Sequence, residues 1–126
     1  MNPPKKLLVV EDDKLLREAL ALKLEKANFT VTVAMNGQEA LAKLQTFKPD
    51  LIMLDIMMPV MDGLTALKEI HKNPDTKDIP VIMMTNINEA DQLNEAMEYG
   101  VKDYLVKSDW RLEDVVKKIN EKLHTT

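Results

Sequence analysis

Cysteine is absent from this chain, which excludes disulfides, cysteine-ligated zinc and thiol catalysis and suits a reducing compartment. Glycine is scarce, with three in 126 residues, and aromatic residues make up only 4%. No apolar run approaches the roughly 20 residues needed to span a bilayer. The opening Met1-Asn2-Pro3-Pro4-Lys5-Lys6 leads into four apolar residues before three acids, too short for a signal-peptide core. Basic residues form no run longer than two, and the net charge is −4. A nucleic-acid surface normally carries a basic patch, so no direct nucleic-acid partner is expected. These absences point to a cytoplasmic protein with no membrane segment. With 45% apolar and 30% charged residues, the chain is long enough for one domain around one core.

What the sequence does have is acid at two chosen places. Leu7-Leu8-Val9-Val10 runs into Glu11-Asp12-Asp13, and Leu51-Ile52-Met53-Leu54 runs into Asp55. Short unbroken apolar runs of this kind read as strands buried on both faces of a parallel sheet. If the two strands are neighbours, three or four carboxylates meet at the sheet edge where open α/β sheets bind ligands. Like charges about 4 Å apart repel by about 4 kcal/mol at a surface-like dielectric, so the cluster calls for a divalent cation.

Strand-like and helix-like patterns alternate five times. Leu16, Leu20, Leu24 and Ala27 recur at helical spacing, with Asp13 as N-cap and Asn28 as a left-handed C-cap. A β-branched strand covers Thr30 to Ala34. Asn36-Gly37-Gln38-Glu39 has capping-box spacing before a helix carrying Ala40, Leu41, Leu44 and Phe47. The third strand is 51–54 and the third helix runs from about Leu64 to Lys72. A loop from Asn73 to Pro80 precedes a fourth strand, Val81-Ile82-Met83-Met84-Thr85. Asn88 can cap a fourth helix with Ala90, Leu93 and Met97. Tyr104-Leu105-Val106 is a fifth strand, and the last helix presents Leu112, Val115, Val116, Ile119 and Leu123. Gly37, Gly63 and Gly100 all fall at these boundaries. The pattern predicts an α/β, doubly wound (βα)5 flavodoxin-like sandwich: a five-stranded parallel sheet with right-handed crossovers and helices on both faces.

Strand ends would then bring together Glu11, Asp12, Asp13, Asp55, Thr85 and Lys107. Carboxylates are hard ligands that select Mg²⁺ or a similar ion, which keeps water or phosphate oxygens in its remaining positions. A Thr hydroxyl and a Lys ammonium are donors suited to phosphoryl oxygens, and a carboxylate can itself accept a phosphoryl group. Taken singly, each residue has a plainer reading. Asp13 reads as a helix cap, Thr85 as a strand end and Lys107 as a solvated charge. Met57, Met58 and Met61 read as packing, and His71 and His124 as solvated. The combination of one residue set per strand end outweighs those readings.

Asp55-Ile56-Met57-Met58-Pro59-Val60-Met61-Asp62-Gly63 resembles the D-x-x-M-P-x-x-D-G signature of response-regulator receiver domains, the chemotaxis type included, at every fixed position. Val9-Val10-Glu11-Asp12-Asp13 resembles their first-strand acidic pair. Thr85 falls thirty residues after Asp55 and Lys107 fifty-two after, as the family's hydroxyl and lysine do. The resemblance covers about Lys5 to Leu123, so 1–126 reads as a single receiver domain with its core at about 5–123.

The resemblance implies a two-component phosphorelay protein whose Asp55 accepts a phosphoryl group from a phosphohistidine. The donor would be a sensor histidine kinase or a histidine phosphotransfer protein. Mg²⁺ would be held by Asp12, Asp55 and the backbone carbonyl of Met57, with Glu11 acting through water. Thr85 and Lys107 would contact the phosphoryl oxygens, and Tyr104 would be the aromatic switch residue. The fourth helix, fifth strand and fifth helix would form the readout face for a downstream protein or a phosphorylation-dependent homodimer.

Two departures stand out. Ser108 follows Lys107 where the family usually has a cis-linked proline, which implies either a trans linkage with a different loop or a strained one. Asn86 follows Thr85 where the family usually has a smaller residue. Apolar Met57 and Ile87 offer no hydrogen bond to an attacking water, which predicts slow loss of the phosphoryl group. The alternative within the same fold is an adaptor that is never phosphorylated. Against it, every required residue is present. An aspartate-nucleophile phosphatase would want a second Asp two residues after Asp55, where Met57 stands. A flavin-binding protein would not set three acids around a phosphate.

Overall fold

The computed structural model describes residues 3–125, so residues 1, 2 and 126 of the expected domain lie outside it. The order of elements is β1 (Lys6–Val10), α1 (Lys14–Lys26), β2 (Thr30–Ala34), α2 (Gly37–Leu44), β3 (Leu51–Asp55), α3 (Gly63–Lys72), β4 (Val81–Thr85), α4 (Ala90–Glu98), β5 (Asp103–Val106) and α5 (Leu112–Leu123). All five strands are parallel, in the order β2-β1-β3-β4-β5. The doubly wound (βα)5 sandwich expected of the sequence is therefore the observed fold.

The unbroken apolar runs are the central strands. Residues 7–10 of β1, and all of β3 and β4, are buried, whereas the edge strands β2 and β5 are mostly half-exposed. Alternation divides each strand between two cores. Leu8, Val10, Ile52, Leu54 and Met83 pack with Ala40, Ala66, Leu67, Ile70 and Ala96 of α2, α3 and α4. Leu7, Val9, Leu51, Met53, Ile82 and Met84 pack on the other face with Leu20, Leu24, Val115 and Ile119 of α1 and α5. Covering both faces removes the strand backbones from water and makes their register unambiguous.

Side-chain caps set where α1, α2 and α3 begin. The Asp13 carboxylate accepts from Leu15 and Leu16 N–H at 3.0 and 3.3 Å, Asn36 from Glu39 at 2.8 Å, and Asp62 from Thr65 at 2.8 Å. Asn28 adopts the left-handed conformation expected after α1. The expected Asn88 cap on α4 is corrected: the helix starts at Ala90, Glu89 holds the boundary, and no side chain caps it. Glu89 is committed elsewhere, as shown below.

Gly63 is where the fold presses on the sheet edge. Its N–H donates to the Ile56 carbonyl at 2.7 Å, and a Cβ there would lie 1.9 Å from the Asp55 backbone oxygen. Two backbones meet with no room between them, so α3 starts directly against the end of β3. Gly63→Ala is expected to destabilise the fold by roughly 2–4 kcal/mol, because backbone rather than a flexible side chain must yield. Chemical denaturation measures this, and an unchanged midpoint would contradict the close approach.

Candidate functional site

Strand order reverses direction at β1 and β3, and Val10 lies beside Leu54 in register. The residues that follow, Glu11 and Asp12 just beyond β1 and Asp55 at the end of β3, therefore share one crevice at the carboxyl edge. A carboxylate oxygen from each of Glu11, Asp12 and Asp55 lies within 4.8 Å of the other two. Consecutive residues at a strand end point opposite ways, so Glu11 is fully buried while Asp12 is exposed at the mouth.

Lys107 supplies the positive charge. Leaving the end of β5 with its N–H on the Thr85 carbonyl at 2.7 Å, it sets Nζ 2.8 Å from Asp55 Oδ2 and 2.7 Å from Glu11 Oε1. The remaining Glu11 oxygen accepts the Asp13 N–H at 3.0 Å, which fixes that carboxylate. Asp55 Oδ1 is buried and has no hydrogen-bond partner among the described residues. An orphaned buried carboxylate oxygen is costly, and it faces a set of hard oxygen donors. The donor set thus fits a hard divalent cation such as Mg²⁺.

Charge and burial oppose one another at Asp55. Burial is the larger effect and disfavours its carboxylate; the Lys107 hydrogen bond favours it, and the Glu11 charge disfavours it again. The balance pushes the Asp55 pKa up from 3.8 to about 8. At Lys107 burial opposes the charge, but hydrogen bonds to Asp55 and Glu11 outweigh it and hold the ammonium pKa above its ordinary value. Two buried carboxylates share one ammonium, with a third at the rim.

Other expectations divide. Asp13 is a helix cap, as read. The Lys107–Ser108 linkage is trans, since the described residues contain no cis peptide bond, and the chain turns through an Asp109 N–H to Val106 carbonyl bond of 2.9 Å. Met58 and Met61 pack on the core, but Met57 is corrected from a packing residue to a surface one, 49% exposed on the loop after β3. The same loop bends through Val60 at φ 68°, a rare conformation for a β-branched residue. Tyr104 is exposed on β5. Thr85 is buried at the end of β4, but its hydroxyl donates to the Asn86 carbonyl at 3.0 Å and approaches Glu89 Oε1 at 3.4 Å instead of joining the acids.

Two residues escaped the sequence reading. Arg17 donates to the Glu11 and Asp12 carbonyls at 2.9 and 3.2 Å and so pins the acidic loop. An arginine in the first turn after such a loop was the available signal. Glu89, buried at 6% exposure, gave no signal of its own among Asn86, Asn88 and Glu89.

The fold and site together define a class: a doubly wound parallel sheet with acids at its switch point and a lysine between two of them. A model of the response regulator receiver domain matches residues 7–120. The chain is 42% identical over 121 residues to a protein-glutamate methylesterase/protein-glutamine glutaminase of Rhodospirillum rubrum, covering 94% of this chain and 32% of that protein. It is 31% identical over 121 residues to a DNA-binding transcriptional regulator of Synechocystis, covering 96% and 50%. This chain thus spans half or less of those relatives' lengths. A chemotaxis response regulator of Vibrio cholerae has the same fold at TM-score 0.86 and 30% identity, covering 94% of this chain and 98% of that one. This chain belongs to the response regulator receiver domain family.

The charge balance predicts a pH effect on stability. A raised folded-state pKa means Asp55 holds its proton more tightly folded than unfolded. Its contribution is fully present below about pH 4 and is lost as pH rises through about 8. In chelator, Asp55→Asn leaves a one-to-one Glu11–Lys107 pair, and it is expected to stabilise the fold by roughly 1–3 kcal/mol near pH 8 and by much less near pH 4. Thermal melts at the two pH values check this, and an equal effect at both would refute it.

Proposed function

We propose that residues 1–126 act as one cytoplasmic receiver domain that takes a phosphoryl group onto Asp55 and switches a protein-binding face, rather than as an enzyme for an outside substrate. The observation that carries this reading is the Asp55 carboxylate itself. One oxygen is held by Lys107 and the other is buried without a partner beside two more acids.

In this reading Asp55 Oδ1 attacks the phosphorus of a phosphohistidine on a sensor kinase or histidine phosphotransfer protein. The O–P bond forms as the N–P bond breaks, and the electron pair leaves on the imidazole nitrogen, which takes up a proton from water. Lys107 moves from its double carboxylate contact onto a phosphoryl oxygen, so its charge follows the charge being delivered. Thr85 donates its hydroxyl to another oxygen, and Tyr104 reorients as the switch residue. Asp12, Asp55 and the Met57 backbone carbonyl would hold Mg²⁺, with Glu11 acting through water. When bound, that ion would neutralise charge on the incoming phosphoryl oxygens. The output surface is α4-β5-α5, which serves a downstream protein or a second copy of this chain through a shift between two pre-existing states.

Incubation with Mg²⁺ and acetyl phosphate, read by intact mass, tests the reading. The wild-type protein is expected to gain the mass of one phosphoryl group, and Asp55→Asn and a chelator-treated sample are expected to gain none. Mass gain by Asp55→Asn would overturn it, as would no gain by the wild-type protein.

The rim of the site predicts the lifetime of the product. Met57 and Ile87, 49% and 77% exposed, offer attacking water no hydrogen bond. Met57→Asn or Ile87→Glu is expected to speed loss of the phosphoryl group by about tenfold, the rate equivalent of one added hydrogen bond to the attacking water. Unchanged decay in both variants would remove the explanation.

A further inference from the structure

The β4–α4 loop is closed by a reciprocal pair of hydrogen bonds. Asn86 N–H donates to Glu89 Oε1 at 2.8 Å, and Glu89 N–H donates to the Asn86 carbonyl at 3.1 Å. The Thr85 hydroxyl joins both ends of that pair, 3.0 Å from the Asn86 carbonyl and 3.4 Å from Glu89 Oε1. It has one proton to give, and it gives that proton to the loop. Glu89 is an acid with almost no access to water, and the Asn86 N–H is the donor that satisfies its Oε1, with the Thr85 hydroxyl oxygen beside it. Its carbonyl also accepts the Leu93 N–H at 3.0 Å, so the same residue begins α4.

We infer that Glu89 is a positioning residue that fixes Asn86, whose carbonyl holds the Thr85 hydroxyl on the β4–α4 loop, and that this hold must be released before Thr85 can reach a phosphoryl group on Asp55. The inference rests on the reading of Asp55 as phosphoacceptor. Thr85 cannot donate to the loop and to a phosphoryl oxygen with a single proton. When the hydroxyl turns to a phosphoryl oxygen, the Asn86 carbonyl keeps only the Glu89 N–H, and the reciprocal pair that fixes the start of α4 is weakened. Occupancy of Asp55 is thereby communicated to α4 through one hydroxyl and one buried acid.

Wild type, Glu89→Gln, Glu89→Ala, Thr85→Val and the Glu89→Gln/Thr85→Val double variant test this in two arms. Without phosphodonor, three-bond NMR couplings of Thr85 are expected to report one side-chain rotamer in wild type and averaging among rotamers in Glu89→Ala. A single rotamer in both would overturn the inference, and so would averaging in wild type. With Mg²⁺ and acetyl phosphate, Glu89→Gln is expected to phosphorylate about three- to tenfold faster than wild type, since a neutral amide accepts the Asn86 N–H less strongly and so fixes the carbonyl that holds the hydroxyl less tightly. In the Thr85→Val background the same substitution is expected to change nothing. An equal acceleration there would mean that Glu89 acts by repelling the donor, and would overturn the inference. Wild-type protein that gains no phosphoryl mass removes the reading of Asp55 instead, and the rotamer arm alone then decides whether Glu89 holds Thr85.

Discussion

The site depends on one ammonium standing between two buried carboxylates. Without Lys107, Glu11 and Asp55 would face each other in a setting that screens charge poorly. With it, they are held close, at 2.7 and 2.8 Å from the same nitrogen, though two acids still face one base. The acids outnumber the bases, and that deficit gives the pocket its chemistry. A bound cation would relieve a repulsion the fold already carries. Much of the surrounding structure serves this arrangement. Arg17 and the Asp13 N–H fix the loop of Glu11, and the trans turn after Lys107 sends its side chain inward.

Most of the fold was legible in the sequence because its central strands are buried on both faces. A strand with no solvent side must be apolar throughout, so Leu7–Val10, Leu51–Leu54 and Val81–Met84 announce themselves by length and by the acids or hydroxyl that follow. Helix starts were legible where a side chain with one local task marks them, as at Asp13 and Asn36. The start of α4 was not. Asn86, Asn88 and Glu89 are all plausible caps in one dimension, and the path of the loop alone decides that Glu89 turns back toward β4.

The site was legible as a set of residues but not as a set of contacts. Asp12, Asp55 and Lys107 lie where strand ends put them. That Lys107 touches Glu11, and that Thr85 faces away from the acids, depends on side-chain rotamers chosen among groups far apart in sequence. Met57 shows the same limit on a smaller scale. Its neighbours Met58 and Met61 pack inward, and nothing in the composition of that loop says which of the three must face water.

The run of the chain has a consequence for how the domain can be joined to others. Every strand heads toward the acidic edge and every helix returns from it, so the chain enters and leaves at the opposite pole. Lys122, near the end of α5, sits 2.7 Å from Asp103 at the start of β5, and the Lys5 carbonyl accepts from Thr30 at the start of β2. A fused module at either end would emerge a full sheet length from Asp55 and leave its approach clear. The geometry keeps both ends of the described chain away from the acidic edge.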